Sequence, residues 1–376
     1  MLLILALSFI CIQCVIAVNP CSGTLKIKSP QDLDELRLCQ VFEGSIYVQN
    51  VSLGEQISLP LLQRVSGNLI LEDLSDPNQI ILAGLRKVDG QLKLHNNLAL
   101  KRLDLTQLAS AHSLEITSEP VLEAITFPSG LSQLDRLIIS NTMISQMDGI
   151  TANKMEEIEI TNNKKLEKIT LNNIEEINAI KIASNGPFAS LDLSGMNYIA
   201  SGEFKNLHTI TGFDKIGYSG DIAFMSNSFV TLVMSNLTRM TGTLSLSDNH
   251  LLTSLSVPQL EQIGGALAMY NNNQLHQVEA PRLHTVEGAV DLSGNFTDIS
   301  FPSVMNIHGG MNVQSSQEMP CDEINKLRTI TQGSDFICRS NVISPQPKFT
   351  KQTSGSSISF VSIHWLYPLI AVLLIN

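Results

Sequence analysis

The chain has 376 residues, with 24 Lys and Arg against 35 Asp and Glu and a formal net charge of −11 at pH 7. This acidic balance argues against nucleic acid as a partner, because proteins bind a phosphate backbone through clusters of Lys and Arg. The sequence also lacks a phosphate loop, a metal-ligand cluster and a Gly-x-Ser-x-Gly elbow, so we predict no catalytic residue, no metal site and no cofactor.

The first 17 residues, MLLILALSFICIQCVIA, form an apolar run that ends in small residues. This pattern predicts a secretory signal peptide cleaved after Ala17. The alternative is a membrane anchor, for which the run is short. If the signal is removed, Cys11 and Cys14 leave with it and four of the six cysteines stay in the mature chain.

The four remaining cysteines lie in pairs near the two ends: Cys21 and Cys39, then Cys321 and Cys338. In a secreted chain, an even and end-clustered set argues for two disulfides, most simply Cys21–Cys39 and Cys321–Cys338. Each pair brackets a predicted helix; the first begins at Ser29, followed by a Pro at the first helical position. A zinc site is the alternative, but no Cys-x-x-Cys and no paired His supports it.

A repeat begins at Gly44, where GSIYVQN is followed by GNLILED and GQLKLHN at intervals of 23 residues. The repeat is clearest between Gly242 and Gly309. Each repeat unit there contains a β-type run, an Asn turn, a second β-type run, an apolar pair and a Gly. A fixed period of this length indicates a solenoid. One coil cannot bury its apolar face alone, so coils stack into a continuous core.

Period-two alternation, as at Leu244 and Leu246, predicts strands. Three apolar segments per coil indicate a mainly β fold, a right-handed, three-sided parallel β-solenoid of about twelve coils, rather than a helix-bearing repeat. We expect it to span residues 18–338. Residues 195–221 are Gly-rich and irregular, which predicts either a distorted coil or a junction between two lobes near this point.

An Asn recurs after the first run of several coils, and stacking would align these side chains into an internal ladder. The row could instead bind sugar, but a structural role fits it better. The members are Asn97, Asn163, Asn185, Asn227, Asn249, Asn272 and Asn295.

Residues 339–354 are polar and aperiodic, which predicts a tether. Small residues at Ser354–Ser356, a spacer and an apolar tail then follow the layout of a GPI attachment signal, with Ser354 as the attachment residue and 355–376 as the removed propeptide. The alternative is a transmembrane helix, but polar residues and Pro368 interrupt the run and no Lys or Arg follows it.

Three sequons predict N-glycans, at Asn50, Asn236 and Asn295. Because Asn295 also occupies the ladder position, we rank it below the other two. A secreted β-solenoid can also be a glycosidase or transglycosylase that acts on polysaccharide, and this enzyme class is the alternative function. The adjacent pairs Glu156–Glu157 and Glu175–Glu176 would point to opposite faces of a strand, which argues against a catalytic dyad.

The segment LSVPQLEQIGGALAMYNNNQLHQVEAPRLHTVEGAVDLSGNFTDISFPSVMNIHGGMNVQSS, followed by CDEINKL and DFICRSN, resembles the fungal GPI-anchored cell-wall proteins of the extracellular-mutant and sporulation-specific group. That group is in turn similar to the receptor L domain, a leucine-rich-repeat-like solenoid. The opening CSGTLKIKSPQDLDELRLCQVFEGSIYVQN resembles the start of the same proteins, so the likeness covers roughly residues 19–340.

The resemblance implies a glycosylated, non-enzymatic surface protein needed for cell-wall or spore-wall organisation. The implied partners are wall polysaccharide or wall glycoproteins, and the membrane through a GPI anchor. The implied location is the cell surface, at the plasma membrane or in the wall. The tether here is short compared with the Ser/Thr-rich stalks of several such proteins, which favours the plasma membrane.

Overall fold

The computed structural model describes residues 20–349. The predicted signal peptide (1–17), the attachment residue Ser354 and the predicted propeptide (355–376) lie outside the described residues. Within residues 20–349, no helix combines the length and apolar character needed to cross a membrane.

The chain winds into a β-solenoid of about 14 turns, somewhat more than the twelve coils predicted. Within residues 20–349 its main sheet has 20 strands, which pair in parallel. The strands are Ser22–Ile27, Val41–Gln49, Arg64–Val65, Leu69–Glu72, Lys87–His95, Ser110–Glu119, Gln133–Thr142, Lys154–Thr161, Glu176–Ala183, Tyr198–Lys205, Tyr218–Met225, Arg239–Met240, Leu244–Ser247, Gln262–Ile263, Leu267–Tyr270, Thr285–Val286, Val290–Gly294, Asn306–Ile307, Met311–Ser315 and Phe336–Arg339.

A second face carries three shorter parallel sheets, which follow one another along the solenoid. The first contains Gln56–Ser58, Gln79–Ile81 and Arg102–Asp104. The second contains Gln146–Met147, Lys168–Thr170, Ser190–Asp192 and Thr209–Thr211. The third contains Thr231–Val233, Ser254–Ser256, Gln277–Glu279 and Asp298–Ser300.

The third apolar segment of each coil does not form a sheet of its own. It joins the first run of the next coil in the main sheet, either as a separate short strand or as one longer strand. In Lys87–His95, for example, Val88 comes from the third segment and Leu92 from the following first run, and both are fully buried.

Identical registers stack apolar residues of successive coils over one another. Leu244 pairs with Leu267, Leu267 with Val290, and Val290 with Met311. All four are at most 3% exposed. This stacking builds the single elongated core that one coil could not bury alone.

The main sheet runs without interruption through residues 195–221, the segment predicted as a distorted coil or a lobe junction. Tyr198–Lys205 pairs with Glu176–Ala183 on one side and with Tyr218–Met225 on the other. Tyr198 lies opposite Tyr218, so this coil is 20 residues long instead of 23. A shortened coil therefore accounts for the irregular sequence, while the second face passes from one small sheet to the next here.

Aromatic side chains fill the core at this shortened coil. Phe204, Phe213 and Phe224 pack with ring centroids 5.1–5.5 Å apart, and Phe229 contacts Phe224 at 5.8 Å. Edge and offset contacts at such distances are favourable beyond their buried area. These four rings therefore form an aromatic cluster in the core at and next to the shortened coil.

Disulfides lie at both ends of the solenoid, between Cys21 and Cys39 and between Cys321 and Cys338. The first loop contains the helix Pro30–Leu36, capped by Ser29 as its sequence predicts. The second contains the helix Cys321–Lys326 and the 3-10 turn Leu327–Ile330. Covering the terminal coils in this way protects core and strand edges that stacking leaves open.

Candidate functional site

Buried asparagines link successive coils through their side chains, as the ladder prediction requires. Asn249 is fully buried and its Nδ2 donates to the Phe224 carbonyl at 3.1 Å and to Asn272 Oδ1 at 3.1 Å. Its own Oδ1 accepts from the backbone N–H and from Nδ2 of Asn227, at 2.9 and 3.0 Å. The ladder thus satisfies polar groups that the core would otherwise leave unpaired. Its amides are engaged with protein, which leaves sugar binding by the row without support.

The residue before each ladder position has a positive φ, which turns the chain inward. Asn96, Asn162, Asn271 and Asp248 have φ between 56° and 59°. Asn and Asp tolerate this left-handed conformation better than most residues. In these coils the residue that makes the turn therefore directly precedes the ladder asparagine in the sequence.

Asn295 was predicted as a ladder member, and this prediction is wrong. The strand Val290–Gly294 lacks the positive-φ turn, and Phe296 takes the buried place instead, at 1% exposure. Asn295 is half-buried, and its Nδ2 donates to the Asn273 carbonyl at 2.7 Å. Hydrophobic burial of Phe296 outweighs one more amide link at this coil.

A carboxyl group interrupts the ladder at Glu119, which the sequence analysis missed. Glu119 is fully buried, and its Oε1 accepts from Asn97 Nδ2 at 2.8 Å and from the Asn97 backbone N–H at 3.3 Å. Its Oε2 has no hydrogen-bond partner among the described residues. Burial raises the pKa of Glu119 from 4.5 to about 8, and the bonds from Asn97 only partly oppose this rise.

The outer face of the main sheet carries charged groups in its N-terminal half. Lys93 Nζ lies 3.3 Å from Glu72 Oε1 and 3.8 Å from Glu115 Oε1. Lys181 and Glu159 form a similar pair at 3.9 Å. Partly exposed ion pairs contribute little to stability. They do present alternating charges along a surface of parallel strands.

A shallow depression of about 280 Å³ lies at the N-terminal ends of strands in this sheet. It is lined by Tyr198 and several polar side chains. Tyr198 stacks on Tyr218 with ring centroids 5.4 Å apart and an interplanar angle of 15°. The other lining residues are Asp135, Lys154, Met155, Glu156, Glu176 and Asn178. An aromatic ring next to carboxylate and amide groups is suited to a ligand with both apolar and hydroxyl surfaces.

The adjacent pairs Glu156–Glu157 and Glu175–Glu176 are split between ion pairs and solvent. Glu157 bonds with Arg136 at 2.6 Å, and Glu176 with Lys154 at 2.9 Å. Glu156 and Glu175 are exposed. Among residues 20–349, no group of three or more His, Cys, Asp or Glu side chains is arranged to hold a metal ion.

The predicted glycosylation sites differ in exposure. Asn50 and Asn236 are exposed, and Asn50 has a positive φ of 51°. Asn295 is half-buried, as described above. Ser354, the predicted anchor site, lies outside the described residues.

Comparison with known proteins found no matching family model. The chain is similar along most of its length to curated fungal proteins. It is 28% identical over 352 residues to protein ecm33 of Aspergillus fumigatus, covering 92% of this chain and 87% of that protein. It is 29% identical over 341 residues to cell wall protein ecm33 of Schizosaccharomyces pombe, covering 90% and 81%.

A third relative is a cell surface GPI-anchored protein of Arthroderma benhamiae, 28% identical over 310 residues, which cover 82% of this chain and 79% of the relative. The second and third of these relatives are named as a cell wall protein and a cell surface GPI-anchored protein. The resemblance first seen in the C-terminal coils is thereby confirmed, since the chain is similar over most of its length to the fungal cell-wall and GPI-anchored surface proteins of the ecm33 group.

Proposed function

We propose that this protein is a GPI-anchored surface glycoprotein with a structural, non-catalytic role in fungal cell-wall or spore-wall organisation. In this proposal residues 1–17 are removed as a signal peptide, 18–338 form the solenoid, 339–354 connect it to the anchor, and 355–376 are replaced by the lipid at Ser354. The names of the relatives support a place at the cell surface and in the wall.

The observation that carries the proposal is the long, regular outer face of the main sheet. About 14 turns stacked at ~4.8 Å give a ladder of ~65 Å. A surface of this length matches an extended polymer better than a small substrate. Wall polysaccharide or a wall glycoprotein is therefore the partner class we propose.

Within this face, the depression beside Tyr198 is the contact that we propose for a sugar chain. The C–H face of a sugar ring packs on an aromatic ring, while its hydroxyls bond to carboxylates and amides such as Glu176 and Asn178. Tyr198 is half-buried and supported by Tyr218, so the ring is held in one place before a ligand arrives.

Co-sedimentation with β-glucan, chitin and mannan tests this contact. We expect the purified protein to bind at least one polymer, and Tyr198→Ala to weaken that binding about ten-fold, as for loss of one well-placed aromatic contact. Tyr47→Ala is the matched control, since Tyr47 lies on the same sheet near its N-terminal end and outside the depression. Equal binding by wild type and Tyr198→Ala would show that the depression beside Tyr198 is not the contact for the sugar chain.

The competing function is a wall-remodelling glycosidase or transglycosylase, which would need two acidic side chains converging on a bound sugar. Turnover of any of the three polymers that disappears on replacing Glu156 or Glu176 would favour the enzyme. A deletion strain with a weakened wall, and a purified protein without turnover, would favour the structural role.

The anchor is tested separately. Phosphatidylinositol-specific phospholipase should release the protein from membranes, after base treatment if the inositol is acylated. A mature product that still contains Trp365 would show that the C-terminal tail is retained and would overturn the anchor.

A further inference from the structure

Residues 340–349, the described part of the segment predicted as a tether, fold back onto the solenoid. The last strand ends at Arg339, and Asn341 then turns the chain with a φ of 55°. The backbone N–H of Val342 donates to the Ser315 carbonyl at 2.9 Å. The following residues, up to Phe349, cross the outer face of the main sheet.

Two side chains of that face bind the backbone of the segment directly. The Asp291 carboxylate accepts the N–H of Lys348 at 2.9 Å and that of Phe349 at 2.7 Å. Asn312 Nδ2 donates to the Gln346 carbonyl at 3.1 Å. Charge-assisted bonds from a carboxylate to two successive N–H groups are among the stronger hydrogen bonds in proteins.

These contacts form a built site and not a chance approach of two surfaces. Asp291 and Asn312 are neighbours in the main sheet, bond to each other at 2.7 Å, and are 1% and 0% exposed. A third partner, Gln314 Nε2, donates to the same Gln346 carbonyl at 3.1 Å. A carboxylate is rarely buried without such partners, so the site is made for the backbone that fills it.

The shape of the surface and the composition of the segment support the same conclusion. A Cβ on Gly310 would come within 2.5 Å of the Phe349 ring, so the glycine leaves the space that the ring occupies. Pro345 and Pro347 flank Gln346 and restrict the free chain to extended conformations. A segment that is already extended loses less conformational entropy when it docks.

We propose that Asp291 and Asn312 form a binding site for the protein's own pre-anchor segment, residues 346–349, and that this docking sets how the solenoid is held at the membrane. This inference rests on the proposed GPI anchor at Ser354. With the segment free, Arg339 and Ser354 could lie ~55 Å apart at ~3.5 Å per residue. With Phe349 docked, only the five residues to Ser354 remain, which span at most ~18 Å. Docking therefore keeps the outer face of the C-terminal coils close to the lipid.

Hydrogen exchange of the Lys348 and Phe349 amides tests the docking on the mature protein extracted in detergent. We expect both amides to exchange at least ten-fold more slowly than in a free peptide of residues 340–354. Asp291→Ala should remove this protection, and Asp291→Asn, which keeps one carbonyl acceptor, should remove part of it. Asp298→Ala is the matched control, because Asp298 is exposed on the second face and has no contact with the segment.

If Asp291→Ala does not fold, Lys348→Pro removes the Lys348 N–H and the Lys348–Asp335 ion pair at 2.8 Å without replacing any residue of the solenoid; faster exchange of Phe349 is then expected. Exchange in the wild type as fast as in the free peptide would overturn the proposal. So would unchanged protection in a folded Asp291→Ala or Lys348→Pro variant. The phospholipase test reports on the anchor alone, so failure of the anchor and failure of the docking are told apart.

Discussion

Replacing Glu119 by Gln should stabilise the protein, and increasingly so as the pH rises. At other coils, the ladder amide donates to the carbonyl of the last inward residue of the preceding coil, as Asn97 Nδ2 does to Leu71 at 3.2 Å. Leu94 occupies the position after Leu71 in the stack of coils. A protonated Glu119 can supply the same donor toward the Leu94 carbonyl, whereas an ionised Glu119 offers only acceptors.

The magnitude follows from the difference between the folded and unfolded pKa values. The folded pKa of Glu119 is raised from 4.5 to about 8, so the folded state binds more protons than the unfolded state between these values. The free energy of unfolding then falls as pH rises, by about 1.4 kcal/mol per pH unit. The loss is about 2.5 kcal/mol between pH 5 and pH 7, and it approaches about 5 kcal/mol above pH 8. The amide that Glu119→Gln introduces does not ionise, so this loss should disappear in the variant.

Urea unfolding followed by far-UV circular dichroism at pH 5, 6, 7 and 8 measures the effect. The stability difference between Glu119→Gln and wild type should grow with pH over this range. Glu123→Gln is the matched control, because Glu123 is exposed in the same coil and lies outside the ladder. Parallel pH profiles for wild type and Glu119→Gln would refute the assignment of a buried, neutral Glu119.

Three further predictions concern the ladder, the caps and the glycans. Asn249→Ala should lower the free energy of unfolding by about 3–5 kcal/mol, measured by urea unfolding, because several buried donors and acceptors lose their partner. Replacing Cys321 and Cys338 by Ser should cost about 2–5 kcal/mol and expose the C-terminal coils first, as limited proteolysis would detect. Glycopeptide mapping should find Asn236 more fully occupied than Asn295; the reverse order would contradict the exposures in the structure.

Periodicity made most of the fold predictable from sequence. Coils such as those at Gly242 and Gly265 repeat at 23 residues with alternating apolar positions, and these two signals determine the strands, their register and the core. The helix cap at Ser29 and the disulfides between cysteines close in sequence were likewise predictable, because both depend on residues that are near one another in the chain. Between Tyr198 and Tyr218 the coil shortens to 20 residues, so the 23-residue period no longer predicts where its strands lie. The packing of Phe204 on Phe224 in this part of the core also could not be predicted from the period.

The features that sequence reasoning missed depend on neighbours distant in the chain. Glu119 resembles a surface residue until the ladder places it beside Asn97. Asn295 matches the Asn spacing, but the more apolar Phe296 takes the inward place. The docked segment was missed because residues 346–349 show no periodicity, and their partner Asp291 lies more than 50 residues earlier in the sequence.

The most direct test of the central proposal is to incubate the purified protein with isolated cell walls and to measure bound protein and released sugar in the same sample. A structural, polymer-binding protein predicts saturable retention on the wall with no soluble sugar accumulating over time. Soluble sugar that accumulates with time, and no longer does so after Glu156→Gln or Glu176→Gln, would contradict the structural role and show a wall-remodelling enzyme in its place.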